Sequence, residues 1–356
     1  MLLAISPQLG RIFRKTLILF LLCTSVDLTS AQILSPAERP NALYRIAGNI
    51  SGPSGLVRRN AQLWVVSQLA HNIVVIQPDG RSSLAIPVMD RRDPRGRPVG
   101  GCGELCLPSG IALDSNGFPA IGDSHHALVR KFLGRSVITI AGEVFRCGFE
   151  NAIIGESLCQ PAGLVFDAKD DLYIVDANLH VVRKASFSTG EMKTIAGDYK
   201  CAGSDGNGGN ASLCRPHGVA IDKKNNLYVA DTGNSTIRKI TPEGQVSTVA
   251  GMAGVCGYVD GGKASDGTST ARFCEPRGIA FDDLTGNLYV ADTRNATIRK
   301  ITSDGQVTTV AGKAGIETTA LGVLPGTIAR PRDIAVIGVG QLAISTENNE
   351  VLGINF

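Results

Sequence analysis

Short runs of alternating or wholly apolar residues, set off by Gly, Asn and Asp, recur along most of the chain. In the clearest stretch they read GVAID, NLYVADT, TIRKIT and VSTVAG, with Lys224-Asn225, Gly233-Asn234 and Glu243-Gly244 between them. Runs this short, rich in Val, Ile, Thr and Tyr and bounded by turn formers, predict strands joined by hairpins. After residue 31 no stretch keeps a helical period over three turns.

The four-run pattern repeats. PHGVAIDKKNNLYVADTGNSTIRKITPEGQVSTVAG begins at Pro216, and PRGIAFDDLTGNLYVADTRNATIRKITSDGQVTTVAG begins at Pro276. Looser copies start near Gly52, Leu107, Gln160 and Arg330. Their anchoring prolines, Pro53, Pro108, Pro161, Pro216, Pro276 and Pro331, stand 55, 53, 55, 60 and 55 residues apart. Six units of four antiparallel strands predict an all-β fold, a six-bladed β-propeller. The sixth unit ends after its third strand, and the missing run lies at the other end of the chain as Leu43-Tyr44-Arg45-Ile46-Ala47-Gly48. The N-terminal strand should therefore complete the last blade and close the ring, leaving no open sheet edge.

The motif P-x-G-hydrophobic-A-hydrophobic-D, followed by N-L-Y-V-A-D-T-x-N-x-x-I-R-K-I, resembles the NHL-repeat propellers. The resemblance covers about residues 41–356 and is sharpest in the fourth and fifth units. It implies the propeller fold but no single activity, because related propellers include interaction modules, RNA-binding domains and a few lyases and hydrolases.

Residues 1–31 read as a secretory signal. Arg11, Arg14 and Lys15 precede the apolar stretch from Thr16 to Val26, and Thr29-Ser30-Ala31 offers small residues for cleavage. A signal anchor is the alternative. Residues 32–40 form a short linker and 41–356 the propeller. Loss of the signal takes the net charge from +3 to about +1. That balance, with the secretory route, argues against nucleic acid and leaves no membrane span in the mature chain.

Eight of the nine cysteines remain once Cys23 leaves. Cys106, Cys159, Cys214 and Cys274 each stand two residues before an anchoring proline, and Cys102, Cys147, Cys201 and Cys256 lie in the loops just before. The register predicts Cys102–Cys106, Cys147–Cys159, Cys201–Cys214 and Cys256–Cys274, and hence an oxidising compartment. The three larger loops are each stabilised by on the order of 3 kcal/mol in the chain-entropy picture. Cys102-x-x-x-Cys106 suits zinc less well, since no second close pair accompanies it. Sequons at Asn49, Asn210, Asn234 and Asn295 are candidate glycosylation sites. Asn210 sits in a disulfide loop, whereas Asn234 and Asn295 sit in tight turns where Asn suits a left-handed backbone.

Residues shared by every copy should build the blade, so chemistry is sought where copies differ. The residue after each anchoring proline opens the innermost strand near one mouth of the channel. Around the ring it is Ser54, Ser109, Ala162, His217, Arg277 and Arg332. The His217, Arg277, Arg332 arc resembles an anion-recognition cluster. The amidating lyases related to this fold hold zinc through histidines around the channel, and Pro216-His217-Gly218 looks like one such context. Its counterparts here are Ser, Ala and Arg, and His71, His125, His126 and His180 lie near hairpins instead. Asp123, Asp176, Asp231 and Asp292, with Arg130, Arg183, Arg238 and Arg299, recur in four copies and are expected to be structural. Asp205-Gly206-Asn207-Gly208-Gly209 lacks the closing acid of a calcium loop and reads as a flexible tether. No cofactor, metal site or catalytic residue is predicted. The expected function is a secreted binding module for an extracellular protein, a glycan or a small anionic ligand. The alternative is a secreted lyase or hydrolase with its site at the channel mouth.

Overall fold

The computed structural model describes residues 41–85, 105–134, 136–144, 147, 152–153 and 158–356. The segment read as a secretory signal, the 32–40 stretch read as a linker and Cys102 lie outside the described residues. Six antiparallel sheets form a ring in which the innermost strand of each packs against that of the next. Those strands are Pro53–Arg59, Pro108–Leu113, Pro161–Phe166, Val219–Ile221, Pro276–Asp282 and Pro331–Gly338. Five of them begin on the anchoring proline, which can open a strand because nothing there requires its missing N–H.

Ala42–Ala47 pairs antiparallel with Val351–Asn355, matching Leu43 to Ile354 and Tyr44 to Gly353. The ring therefore closes through both ends of the chain. Tyr44 and Ile46 join a core shared between the sixth and first blades, and Leu43 joins one shared between the fifth and sixth. Each core is a sandwich of two neighbouring blades, so no blade buries its apolar faces alone.

Three blades carry a fifth, two-residue strand at the outer edge, which the repeat alone does not predict. Ala152–Ile153, Gly206–Asn207 and Gly322–Val323 come from the inter-blade loops and pair with the outermost strands. Gly206–Asn207 belongs to the segment read as a flexible tether; it is instead paired with Gln245 and Val246. Among the described residues no helix is long and apolar enough to cross a membrane.

Leu43, Tyr44 and Ile46 are almost fully buried, each contributing about 2 kcal/mol by burial. Deleting residues 41–49 should lower the calorimetric Tm by on the order of 10 °C or more. An unchanged Tm would show that the ring does not depend on this closure.

Candidate functional site

The loops entering the blades are fixed from within. Asp231 and Asp292 end the second strands of blades four and five and are fully buried. Asp231 accepts the backbone N–H of Cys214 at 2.6 Å, the Asn234 amide at 2.7 Å and Arg238 Nη1 at 2.9 Å. Asp292 repeats the pattern with Cys274, Asn295 and Arg299. Burial pushes the Asp292 carboxyl up to about 6 against the pull of Arg299, Asn295 and the Cys274 N–H, so it is ionised at neutral pH. Asp123 and Asp176 hold the N–H groups of Cys106 and Cys159 at 2.7 Å.

The arginines reach further than a local pairing. Arg238 also donates to the carbonyls of Ser204 and Ser212 and to Asp205 Oδ1, and Asp205 in turn accepts from Thr248. Asp205, itself half exposed, thus closes the network from the solvent side. Cys147–Cys159, Cys201–Cys214 and Cys256–Cys274 are formed as the register predicts, with Cα atoms 4.1–4.5 Å apart. Cys106 is disulfide-bonded as well, and its expected partner Cys102 lies outside the described residues.

The sequon asparagines divide in two. The left-handed turn positions are Ser235 and Ala296, at φ 57° and 56°, and not Asn234 and Asn295. Those two side chains are buried, and each amide donates both to its Asp and to a loop carbonyl, of Ala202 or Gly257. Asn49 and Asn210 are exposed.

The left-handed position recurs in every second hairpin: His71, Ala127, His180, Ser235, Ala296 and Asn349 all have φ between 55° and 61°. Four of these side chains accept the N–H of the residue before the next blade's anchoring proline. His71 holds Leu107 at 3.1 Å, His180 holds Arg215 at 3.1 Å, Ser235 holds Glu275 and Asn349 holds Gly52. His71 and His180 therefore lock neighbouring blades. His126 pairs with buried Asp123 at 2.8 Å. Among the described residues no group of three or more His, Cys, Asp or Glu side chains is placed to hold a metal ion.

At the channel mouth the sequence-predicted ring comes together. Ser54, Ser109, Ala162, His217, Arg277 and Arg332 all line one central cavity of about 320 Å3. The inner strands approach this closely because each P-x-G glycine lies against the next blade. A Cβ at Gly110, Gly163 or Gly218 would strike the carbonyl oxygen of Ala162, His217 or Arg277. Ser54 and Ser109 donate their hydroxyls across the same junctions, to Ser109 O at 3.1 Å and Pro161 O at 2.6 Å.

The cationic arc is unevenly compensated. Arg332 donates to Gln68 Oε1 at 2.9 Å and to Glu347 at 3.4 Å. Arg330 pairs with Glu317 and Glu347, and Arg294 with Glu275. Arg277 has no side-chain hydrogen bond or ion pair among the described residues, and its Nε is buried without a partner. Burial and the neighbouring Arg332 both press its pKa down, yet a guanidinium stays charged. Arg277 also lines two further cavities, of about 430 and 300 Å3, that open beside the central one. His217 lines the channel wall with Nδ1 3.0 Å from Arg215 O. Burial, then the charge of Arg277, holds it down to about 4, so it is neutral at pH 7.

One channel residue escapes a reading based on the ring of x positions. In the sixth unit the P-x-G glycine is replaced by Asp333, whose Oδ2 accepts the Leu56 N–H across the blade junction at 2.8 Å. The signal was PRD where five copies have PSG, PAG, PHG or PRG. No arginine pairs with this carboxyl among the described residues, and burial pushes it up to about 7.

The sequence model of the NHL repeat matches residues 213–240 and 273–301, which hold most of blades four and five. The chain is an NHL-repeat propeller. It is 33% identical over 151 residues to NHL repeat-containing protein 2 of Homo sapiens, a match covering 39% of this chain and 20% of that protein. The chain thus spans about a fifth of that relative. Among solved structures, the propeller superposes on an auxiliary nutrient binding protein from Bacteroides thetaiotaomicron with a TM-score of 0.64, at 14% identity, over 88% of this chain and 76% of that one. It superposes on a gluconolactonase from Xanthomonas campestris with a TM-score of 0.60, at 14% identity, over 93% of both chains. At such identity these two share the fold with the NHL propeller and nothing narrower.

The Asp333 carboxyl gives the propeller a measurable pH dependence. Between about pH 4 and pH 7 the folded protein holds a proton that the unfolded chain releases, so this residue's contribution falls as pH rises and levels off above 7. His217 acts in the opposite sense below pH 6.5, and it is common to the wild type and an Asp333→Asn variant. The difference in urea unfolding free energy between the two should change by on the order of 2–4 kcal/mol from pH 4 to pH 8. Parallel profiles would show that Asp333 ionises normally.

Proposed function

We propose that this NHL propeller is a secreted binding module that takes a small anionic ligand at the channel mouth, with Arg277 as the principal contact and His217 and Arg332 beside it. The observation that carries this reading is the Arg277 guanidinium. Of the two arginines that line the central cavity it is the one without a carboxylate or hydrogen-bond partner among the described residues, and it also lines the two cavities beside it. A partly buried unpaired cation is a standing cost that a carboxylate or phosphate would remove through paired, charge-assisted hydrogen bonds. The disulfides are consistent with an extracellular setting, and residues 1–31 have the pattern of a secretory signal. The binding protein and the lactonase that share the fold show that such a ring serves either purpose. An enzymatic reading draws on Asp333, whose raised pKa in the same cavity suits proton transfer.

Titration calorimetry with acetate, inorganic phosphate and D-glucuronate tests the reading. At least one of these should bind the wild type, and Arg277→Gln should weaken that binding at least tenfold. The variant should keep or raise its Tm, because a repelled, unpaired charge is removed. An anion that binds equally well to wild type and variant, or no binding by any of the three, would overturn the proposal. Glycan mapping of protein from a secretory host should find Asn210 and Asn49 occupied and Asn234 and Asn295 bare. Occupancy at Asn234 would mean that its amide does not make both buried contacts, since a glycosylated Nδ2 keeps only one hydrogen.

A further inference from the structure

From the charge count and hydrogen-bonding of the central cavity we infer the class of ligand: a hydroxylated monocarboxylate of monosaccharide size, its carboxylate on Arg277 and its hydroxyls toward blades one to three. The inference rests on the anion-binding reading above and goes on to say which anion.

Two arginines line the central cavity, Arg277 and Arg332, and of these only Arg277 has no carboxylate or side-chain hydrogen-bond partner among the described residues. Arg332 is offset by Glu347, Arg330 by Glu317 and Arg294 by Glu275. Glu275 and Glu347 act on Arg277 through space, but each is committed to another arginine. His217 is neutral at pH 7, with its Nδ1 turned to a backbone carbonyl. A single uncompensated guanidinium matches a single carboxylate. A dianion would bring a second charge with no partner, into a cavity that already holds the Asp333 carboxyl.

The opposite wall is polar and carries no formal charge. Ser54 and Ser109 face the cavity from blades one and two, with Gln68 and Gln160 at its edge. The Ser54 hydrogen is donated to a backbone carbonyl, and that of Ser109 is committed to Pro161 O or to Ser124 Oγ. What the serines offer a ligand is therefore their lone pairs, which accept. Gln68 Oε1 is held by Arg332, which leaves its amide N–H groups to donate. Asp333 is a further lining residue, its carboxyl accepting from the backbone N–H groups of Leu56 and Ile334. A wall of acceptors with an occasional donor suits hydroxyl groups, which do both. An apolar tail would leave these groups unpaired. The volume of about 320 Å3 lies at the small end of ligand pockets, roughly 300–1,000 Å3, which limits the ligand to about one sugar ring.

The disulfide-intact mature protein is titrated with D-glucuronate, acetate, D-glucose, succinate and inorganic phosphate at pH 7.5 and constant ionic strength. Glucuronate should bind at least tenfold tighter than each of the others, and Arg277→Gln should abolish that advantage over glucose. Phosphate or succinate binding as tightly as glucuronate would overturn the single-charge argument. Acetate binding as tightly would overturn the hydroxyl wall, leaving the anion site standing in both cases. Glucose binding as tightly as glucuronate would overturn the role of Arg277. Failure of every anion would remove the anion site itself, and this inference with it.

Discussion

A buried carboxylate held by a buried guanidinium organises this propeller. In blades four and five Asp231–Arg238 and Asp292–Arg299 have no solvent exposure on either side chain. Taking such a pair out of water costs several kcal/mol for each ion, and attraction between the two offsets this only when their remaining valences are filled. Here they are nearly filled: the carboxylate accepts from a cysteine N–H and an asparagine amide, and the guanidinium donates to loop carbonyls and a second aspartate. Only the arginine Nε stays without a partner. One node therefore fixes the second strand, the third strand, their hairpin and the loop entering the blade. Losing either member would leave an unpaired buried charge and release the loop with it.

That node explains where the disulfides lie. The recurring Asp and Arg occur in blades two to five, and so do the cysteine pairs. Blades one and six have Ser67 and Thr346 at the Asp position, each turned to a nearby carbonyl, and their entering segments carry no cysteine. In blades four and five the covalent link and the buried ion pair thus serve the same loop from opposite sides. The disulfide restricts the loop when the chain is unfolded, and the ion pair seats it in the folded state. A rim fixed in this way holds the innermost strands, and hence the channel side chains, in one arrangement, as recognition by a few polar contacts requires.

Most of the architecture was legible because repetition separates signal from accident. Six prolines at near-equal spacing, and a terminal run displaced to the other end of the chain, are enough to give the blade count and the closure by Leu43, Tyr44 and Ile46. The cysteine pairs followed from their register against the prolines. Three features were not legible, two because they depend on contacts far apart in sequence and one because the left-handed turn position lies one residue further on. Asp205 looked like part of a loose glycine loop, and only the fold brings it to Arg238. Asn234 looked like a left-handed turn residue, yet the turn places Ser235 there and turns the Asn amide onto Asp231. Arg277 was visible as one of an arc, but its lack of a partner depends on how Glu275 and Glu347 are divided among other arginines. Asp333 was within reach of the sequence, since it breaks the P-x-G pattern, but it is overlooked when only the x position is compared.

The position of His217 and Arg277 inside the most regular blades has a physical reason. In P-x-G the proline fixes the strand's entry and the glycine permits contact with the next blade's carbonyl, so both are dictated by the ring. The residue between them faces the channel and packs against no core. It is the one place on the innermost strand where a charge can be introduced without disturbing a blade, and blades four and five, held by the completest Asp–Arg networks, best tolerate the repulsion. Arg277 lies against Arg332 and beside a neutral His217 in a setting that lowers the pKa of each of Arg277 and His217. Nothing in the blade requires that arrangement, and a serine or alanine, as at Ser109 or Ala162, would avoid its cost. A rigid frame that carries an unpaired cation at a free position of the central cavity, while the other arginine lining that cavity, Arg332, is matched to a carboxylate, has the distribution of charge expected when the missing partner is a ligand.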